Sequence, residues 1–90
     1  MARLTRIAED GQQQEGRNHD EIDNTRSFHF EENSETIFQI NTYGRTELRD
    51  IPGKLSQTIQ LTRPAARQLI AQLQAAYPRI LEDPLPPGEN

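Results

Sequence analysis

The chain has 90 residues, of which 32% are hydrophobic, and its formal net charge is -4 at pH 7. This length allows one domain at most, and much of even this chain is too polar to enter a core. The absence of cysteine excludes disulfides and thiolate metal sites and favours a cytoplasmic location. The absence of a long apolar run argues against a membrane span.

Charge is unevenly distributed along the sequence. Residues 1–35 carry four arginines against nine acidic residues, residues 36–80 carry six basic against two acidic residues, and residues 81–90 carry three acidic residues and no basic one. A basic segment between acidic ends is typical of a nucleic-acid-binding domain whose tails compete for the same surface. Disordered tails are commonly acidic for other reasons as well, so both interpretations stay open.

The two ends of the chain are predicted to be tails. Residues 8–24 combine a glutamine run and six carboxylates with a single sizeable apolar side chain, Ile22, so ordering them would bury almost nothing. We therefore expect a disordered acidic tail over residues 1–24, in which Leu4 and Ile7 could pair briefly with a sheet edge. Residues 81–90 contain three prolines and are expected to form an extended, Pro-rich acidic tail.

The folded module is predicted to span residues 25–80 and to begin with strands. Phe28 and Phe30 alternate with polar residues in the first of them, and residues 32–35 have the composition of a tight turn, so the first two strands are expected to form a hairpin. Strands are predicted where apolar and polar residues alternate, namely over 25–31, 36–43, 46–51 and 55–61.

A single helix is predicted after the last strand. Thr62 is placed to cap it with its hydroxyl, Pro64 suits the first turn, and Pro78 forbids continuation. An apolar stripe recurs at helical spacing, at Ala66, Leu69, Ile70, Leu73 and Tyr77. The expected fold is α+β, a small antiparallel sheet of three or four strands followed by one C-terminal amphipathic helix. Roughly fifty ordered residues give a core near the lower limit of independent stability, so a homodimer is expected.

The sequence offers little chemistry for catalysis, so an enzyme is not expected. His19 and His29 have no metal-ligand partner at useful spacing, and no serine lies in a nucleophile motif. Gly44 and Gly53 stand alone and do not make a phosphate-binding loop. Neither a metal nor a cofactor is predicted.

The polar face of the predicted sheet is the candidate functional surface. It is expected to be uncharged and rich in hydrogen-bonding groups, lined by Ser27, His29, Gln39, Asn41, Tyr43, Ser56, Thr58 and Gln60. Arg45, Arg49 and Lys54 lie in or beside the adjoining loops, where they could reach phosphates, and Tyr43 could stack on a base. Half-exposed strands also carry such residues simply for solubility, and this second interpretation stays open.

The order of motifs over residues 38–73 resembles that of the positive-cofactor-four-like transcriptional coactivators, in particular their short bacterial members. The motifs are FQINTYGR at 38–45, LRDI at 48–51, GK at 53–54 and IQLT at 59–62, followed by the helix. The resemblance implies a dimer that pairs through its helices and binds single-stranded DNA across curved sheets. It also implies that Tyr43, Arg45, Arg49 and Lys54 contact the nucleic acid.

The sequence therefore predicts a dimer that binds single-stranded DNA or RNA, as a transcription or replication accessory protein. The predicted contact residues are Gln39, Asn41, Tyr43, Arg45, Arg49, Lys54, Thr58 and Gln60. The alternative is a non-enzymatic protein-interaction module, such as a small phage or plasmid regulator that acts on a host protein through its acidic tails.

Overall fold

The computed structural model describes residues 1–12, 14–19, 21–44 and 53–87, which form a four-stranded mixed sheet followed by one α-helix. The predicted α+β class is confirmed. In chain order the elements are β1 (Ala2–Leu4), β2 (Thr25–Glu32), β3 (Glu35–Tyr43), β4 (Leu55–Leu61), α1 (Arg63–Ala76) and a 3₁₀ turn (Ile80–Glu82). The strand predicted over residues 46–51 lies outside the described residues.

A two-residue turn joins β2 and β3 into the predicted hairpin. Asn33 and Ser34 have positive φ angles of 52° and 64°, which is the backbone of a type I′ turn and matches the right-handed twist of the flanking strands. Asn tolerates this left-handed conformation better than most residues because its short polar side chain bonds locally. The turn pairs Glu32 with Glu35 and thereby sets the register of the whole hairpin.

The sheet is completed by β4 and β1, in the spatial order β1-β4-β3-β2. β4 is antiparallel to β3, whereas β1 pairs in parallel with the other edge of β4, so the predicted antiparallel sheet is a mixed one. β1 comes from the span predicted to be a disordered tail, and Ala2–Leu4 belong to the sheet instead. Pairing with β1 covers backbone groups of β4 that would otherwise form an open edge.

The boundaries of α1 follow the predicted signals. Thr62 has an extended backbone at the N-cap position, Pro64 lies in the first turn, and Pro78 follows the end of the helix. The predicted hydroxyl cap is wrong, because Thr62 makes no side-chain cap bond. Its N–H and its hydroxyl both donate to the Leu4 carbonyl, at 3.1 and 3.3 Å, and this ties the end of β1 to the start of α1.

One side of α1 holds the chain that follows β1. Ile7 donates its N–H to Oε1 of Gln68 at 2.7 Å, and Nε2 of Gln72 donates to the Ile7 carbonyl at 2.7 Å. Ala65, in the first turn, is completely buried. Three residues of the predicted apolar stripe are far more exposed, at 49%, 40% and 60% for Ile70, Leu73 and Tyr77.

The buried apolar side chains lie around the point where β4 passes into α1. Among the described residues, Ile37 and Leu61 are 1% and 5% exposed and Ala65 is fully buried, which makes a small core for this length. Within the described residues, no helix has the length and apolar character needed to cross a membrane.

Candidate nucleic-acid interface

Strand register assigns each side chain to one of the two faces of the sheet. Residues that pair across neighbouring strands lie on the same face, so a single row crosses all four strands at Arg3, Gln60, Gln39 and Phe28. This face is called the concave face below. By the same alternation it also carries Arg26, Phe30, Glu32, Ile37, Asn41 and Thr58.

An ion pair between the two outer strands shows that this face curves inward. Nη2 of Arg3 on β1 lies 2.7 Å from Oε2 of Glu32 on β2. In a flat sheet, three strand spacings and four residues along a strand would separate their Cα atoms by about 19 Å, beyond the joint reach of the two side chains. Side chains on this face are also buried, since Ile37, Asn41 and Thr58 are 1%, 9% and 8% exposed.

Polar side chains of the concave face form one continuous chain of hydrogen bonds, called the amide network below. It begins at Arg3, whose Nε donates to Oε1 of Gln60 at 2.9 Å. Nε2 of Gln60 then donates to Oε1 of Gln39, also at 2.9 Å. A guanidinium has donors only, so it orients the Gln60 amide, and Gln60 in turn orients Gln39.

The network continues along β3 and ends on a phenol. Nε2 of Gln39 and Oγ1 of Thr58 both donate to Oδ1 of Asn41, at 2.9 and 3.0 Å. Nδ2 of Asn41 donates to the Tyr43 hydroxyl at 3.2 Å, and this hydroxyl keeps its own hydrogen for donation. From Arg3 to Tyr43, each side chain donates to the next one along the series. Successive hydrogen bonds of this kind polarise and strengthen one another. The network is therefore a directional set of donors and acceptors with Arg3 at its head.

Aromatic and cationic side chains border the amide network on β2. The rings of Phe28 and Phe30 have centroids 6.0 Å apart, and Phe28 is 47% exposed. The register places Phe28 beside Gln39 and the exposed Arg26 beside Asn41. An exposed ring next to neutral hydrogen-bonding groups and a cation is a surface on which a nucleobase can stack.

The structure brings together most of the predicted contact residues. Five belong to the amide network, namely Gln39, Asn41, Tyr43, Thr58 and Gln60. Lys54 directly precedes β4, and its carbonyl accepts a bond from the Gly44 N–H at 2.9 Å, which places it at the Tyr43 end of the network. Arg45 and Arg49 lie outside the described residues.

The prediction that Ser27 and His29 line this face is wrong. They pair with Ile40 and Phe38 and lie on the opposite face, because the two-residue turn puts Phe28 in register with Gln39. Counting residues outwards from that turn pairs Phe28 with Gln39, so the sequence contained the information that assigns Ser27 and His29 to the opposite face. Periodicity could not have revealed Arg3, since a strand of three residues is too short to show a pattern.

Comparisons of the chain with protein-family models, with curated proteins and with solved structures give no match. Function is therefore inferred from the geometry of the concave face.

Proposed function

We propose that the chain binds single-stranded DNA or RNA along the concave face, as a cytoplasmic accessory protein of transcription or replication. The observation that carries this proposal is the amide network lying on the same face as the exposed Phe28 ring and two arginines. Amides offer donors and acceptors to base edges, an exposed ring offers stacking, and Arg3 and Arg26 offer contacts to phosphates.

The shape of the face favours a single strand over a duplex. Proteins read a duplex by inserting a helix or a two-stranded ribbon into its major groove, whereas the strands of this surface curve inward, as the Arg3–Glu32 pair indicates. Unpaired bases can turn towards Phe28 and the amide network while their phosphates remain outside. The resemblance to positive-cofactor-four-like coactivators supports the same class of ligand.

Charge on the concave face gives the expected path of the strand. Glu35 lies at the hairpin end and repels phosphates, whereas Arg26 and Lys54 lie towards the opposite end and attract them. We expect the nucleic acid to run from Arg3 along the amide network towards Lys54.

We also propose that two copies of the chain pair through the exposed stripe of α1. The core is small, and Ile70, Leu73 and Tyr77 keep 40–60% of their surface in contact with solvent. Covering three half-exposed side chains on each of two subunits contributes about 6 kcal/mol, at about 1 kcal/mol for each side chain. Association itself costs about 4–15 kcal/mol, so this stripe alone supports at most a weak, concentration-dependent dimer.

The binding experiment uses the full chain, because Ala2–Leu4 are part of the sheet. Fluorescence anisotropy with a labelled oligodeoxythymidine of about 15 nucleotides should show affinity that falls steadily with added salt, since phosphate contacts release counterions. Phe28→Ala should weaken binding at least about fivefold, as expected for one lost stacking contact of 1–3 kcal/mol. Ile59→Ala, which removes a 37% exposed apolar side chain from the opposite face, is the matched control and should bind like the unaltered chain.

Two results would contradict the proposal. One is binding that is absent at low salt or unaffected by salt, and the other is an equal loss of affinity in Phe28→Ala and Ile59→Ala. Either result would favour the protein-interaction module.

A further inference from the structure

The ion pair across the concave face joins the amide network to a carboxylate. Arg3 uses Nε to orient Gln60 at 2.9 Å and Nη2 to bind Glu32 at 2.7 Å. The two side chains are 40% and 46% exposed, and exposed pairs of this kind contribute little net stability. The pair can therefore exchange one partner for another at low cost.

Space for a new partner lies beside Arg3. An open pocket of about 250 Å³ is lined by Met1, Ala2, Arg3, Thr58 and Gln60. Two of these residues, Thr58 and Gln60, belong to the amide network, so a group held there lies beside Arg3 and beside neutral hydrogen-bonding side chains. A phosphate suits this position, because a guanidinium can bind two phosphate oxygens at once.

We propose that Arg3 is the main phosphate-binding residue of the concave face and that Glu32 is its internal competitor. In the free protein the Glu32 carboxylate occupies the Arg3 guanidinium and links the two outer strands across the face. On binding, a backbone phosphate replaces this carboxylate, and Arg3 keeps its Nε bond to Gln60. This inference rests on the proposed function and assigns to that site a residue and a regulatory contact.

The test compares substitutions that change charge equally but differ in position. Glu32→Gln should bind the labelled oligodeoxythymidine about two- to fivefold more tightly, the factor expected when a competing exposed ion pair is removed. Glu31→Gln makes the same change on the next residue of β2, whose side chain lies on the opposite face, and should have a smaller effect. In chains that also carry Arg3→Gln, the two glutamate substitutions should become equivalent, because nothing is left for Glu32 to occupy.

The salt dependence supplies a second and independent readout. Loss of one phosphate contact lowers the slope of log affinity against log salt by about 0.7 for a single strand. Arg3→Gln should show this loss, whereas Arg67→Gln on the exposed side of α1 should not.

The outcomes separate this inference from the proposed function. Salt-dependent binding by the unaltered chain, together with equal effects of Glu32→Gln and Glu31→Gln, overturns the competition and leaves the binding face in place. An unchanged slope in Arg3→Gln overturns the role of Arg3. Absence of binding in every variant refutes both proposals.

Discussion

Asn41 is the centre of the amide network, and replacing it with leucine tests whether the network is a unit. Asn41 and Thr58 are 9% and 8% exposed, and Oδ1 of Asn41 accepts from both Thr58 and Gln39. The substitution Asn41→Leu therefore leaves the buried Thr58 hydroxyl without its acceptor, whereas the less buried Gln39 can turn to water. A buried unsatisfied donor costs about 1–3 kcal/mol, and the added apolar burial offsets about 1 kcal/mol.

The companion substitution removes the donor instead of the acceptor. Thr58→Val should cost about 0.5–1.5 kcal/mol, because Asn41 still accepts the bond from Gln39. The double variant lacks both partners and no longer buries an unpaired hydroxyl. Its loss of stability should therefore be smaller than the sum of the single losses by about 1 kcal/mol, which is the coupling expected of groups in one network.

Urea unfolding of the four chains, followed by circular dichroism, measures this coupling. Thr36→Val, on the opposite face and five residues from Asn41, is the control and should combine additively with Asn41→Leu. Coupling below about 0.3 kcal/mol between Asn41 and Thr58 would refute the network, since that value is within the error of additive, independent sites.

Three further predictions concern the helix, the N-terminal segment and the core. Leu73→Glu should shift the sedimentation equilibrium towards monomer. Gln74→Glu adds the same charge on another side of α1 and should leave the equilibrium unchanged. If the unaltered chain is monomeric at high concentration, pairing through the stripe is contradicted. Gln68→Ala should speed amide hydrogen exchange at Ile7 about fivefold, because it removes a hydrogen bond that contributes roughly 1 kcal/mol. Gln74→Ala is the control. Equal exchange rates in the two variants would mean that Gln68 does not hold this segment. Ile37→Val should lower the unfolding free energy by about 0.5–1.5 kcal/mol in the same urea assay, and no change would show that the 1% exposed side chain lies in a loosely packed environment.

Much of the fold could be predicted because its signals are local. Pro64 and Pro78 act on the backbone at their own positions and bracket α1, and alternating residues predicted β2, β3 and β4. β1 could not be predicted in this way. Its three residues gain their place from pairing with β4 and from the bonds between Leu4 and Thr62, which lie 58 residues apart in the sequence.

The candidate site was predictable only in part. Alternation correctly grouped Gln39 with Asn41, and Thr58 with Gln60, on the polar face. It did not show that Phe28 shares this face, because the face of one strand relative to the next depends on register. A slip of one residue would exchange the exposed ring for Ser27 and His29.

By itself the sequence determined the elements and the chemistry available to them, since side-chain type, alternation and turn residues act over a few neighbouring positions. Only the tertiary structure decided which of these groups meet. The Arg3–Glu32 pair joins residues 29 positions apart on the two outer strands, and it forms because the sheet curves. Curvature and register arise from the pairing of all four strands together, so no single segment encodes the concave face.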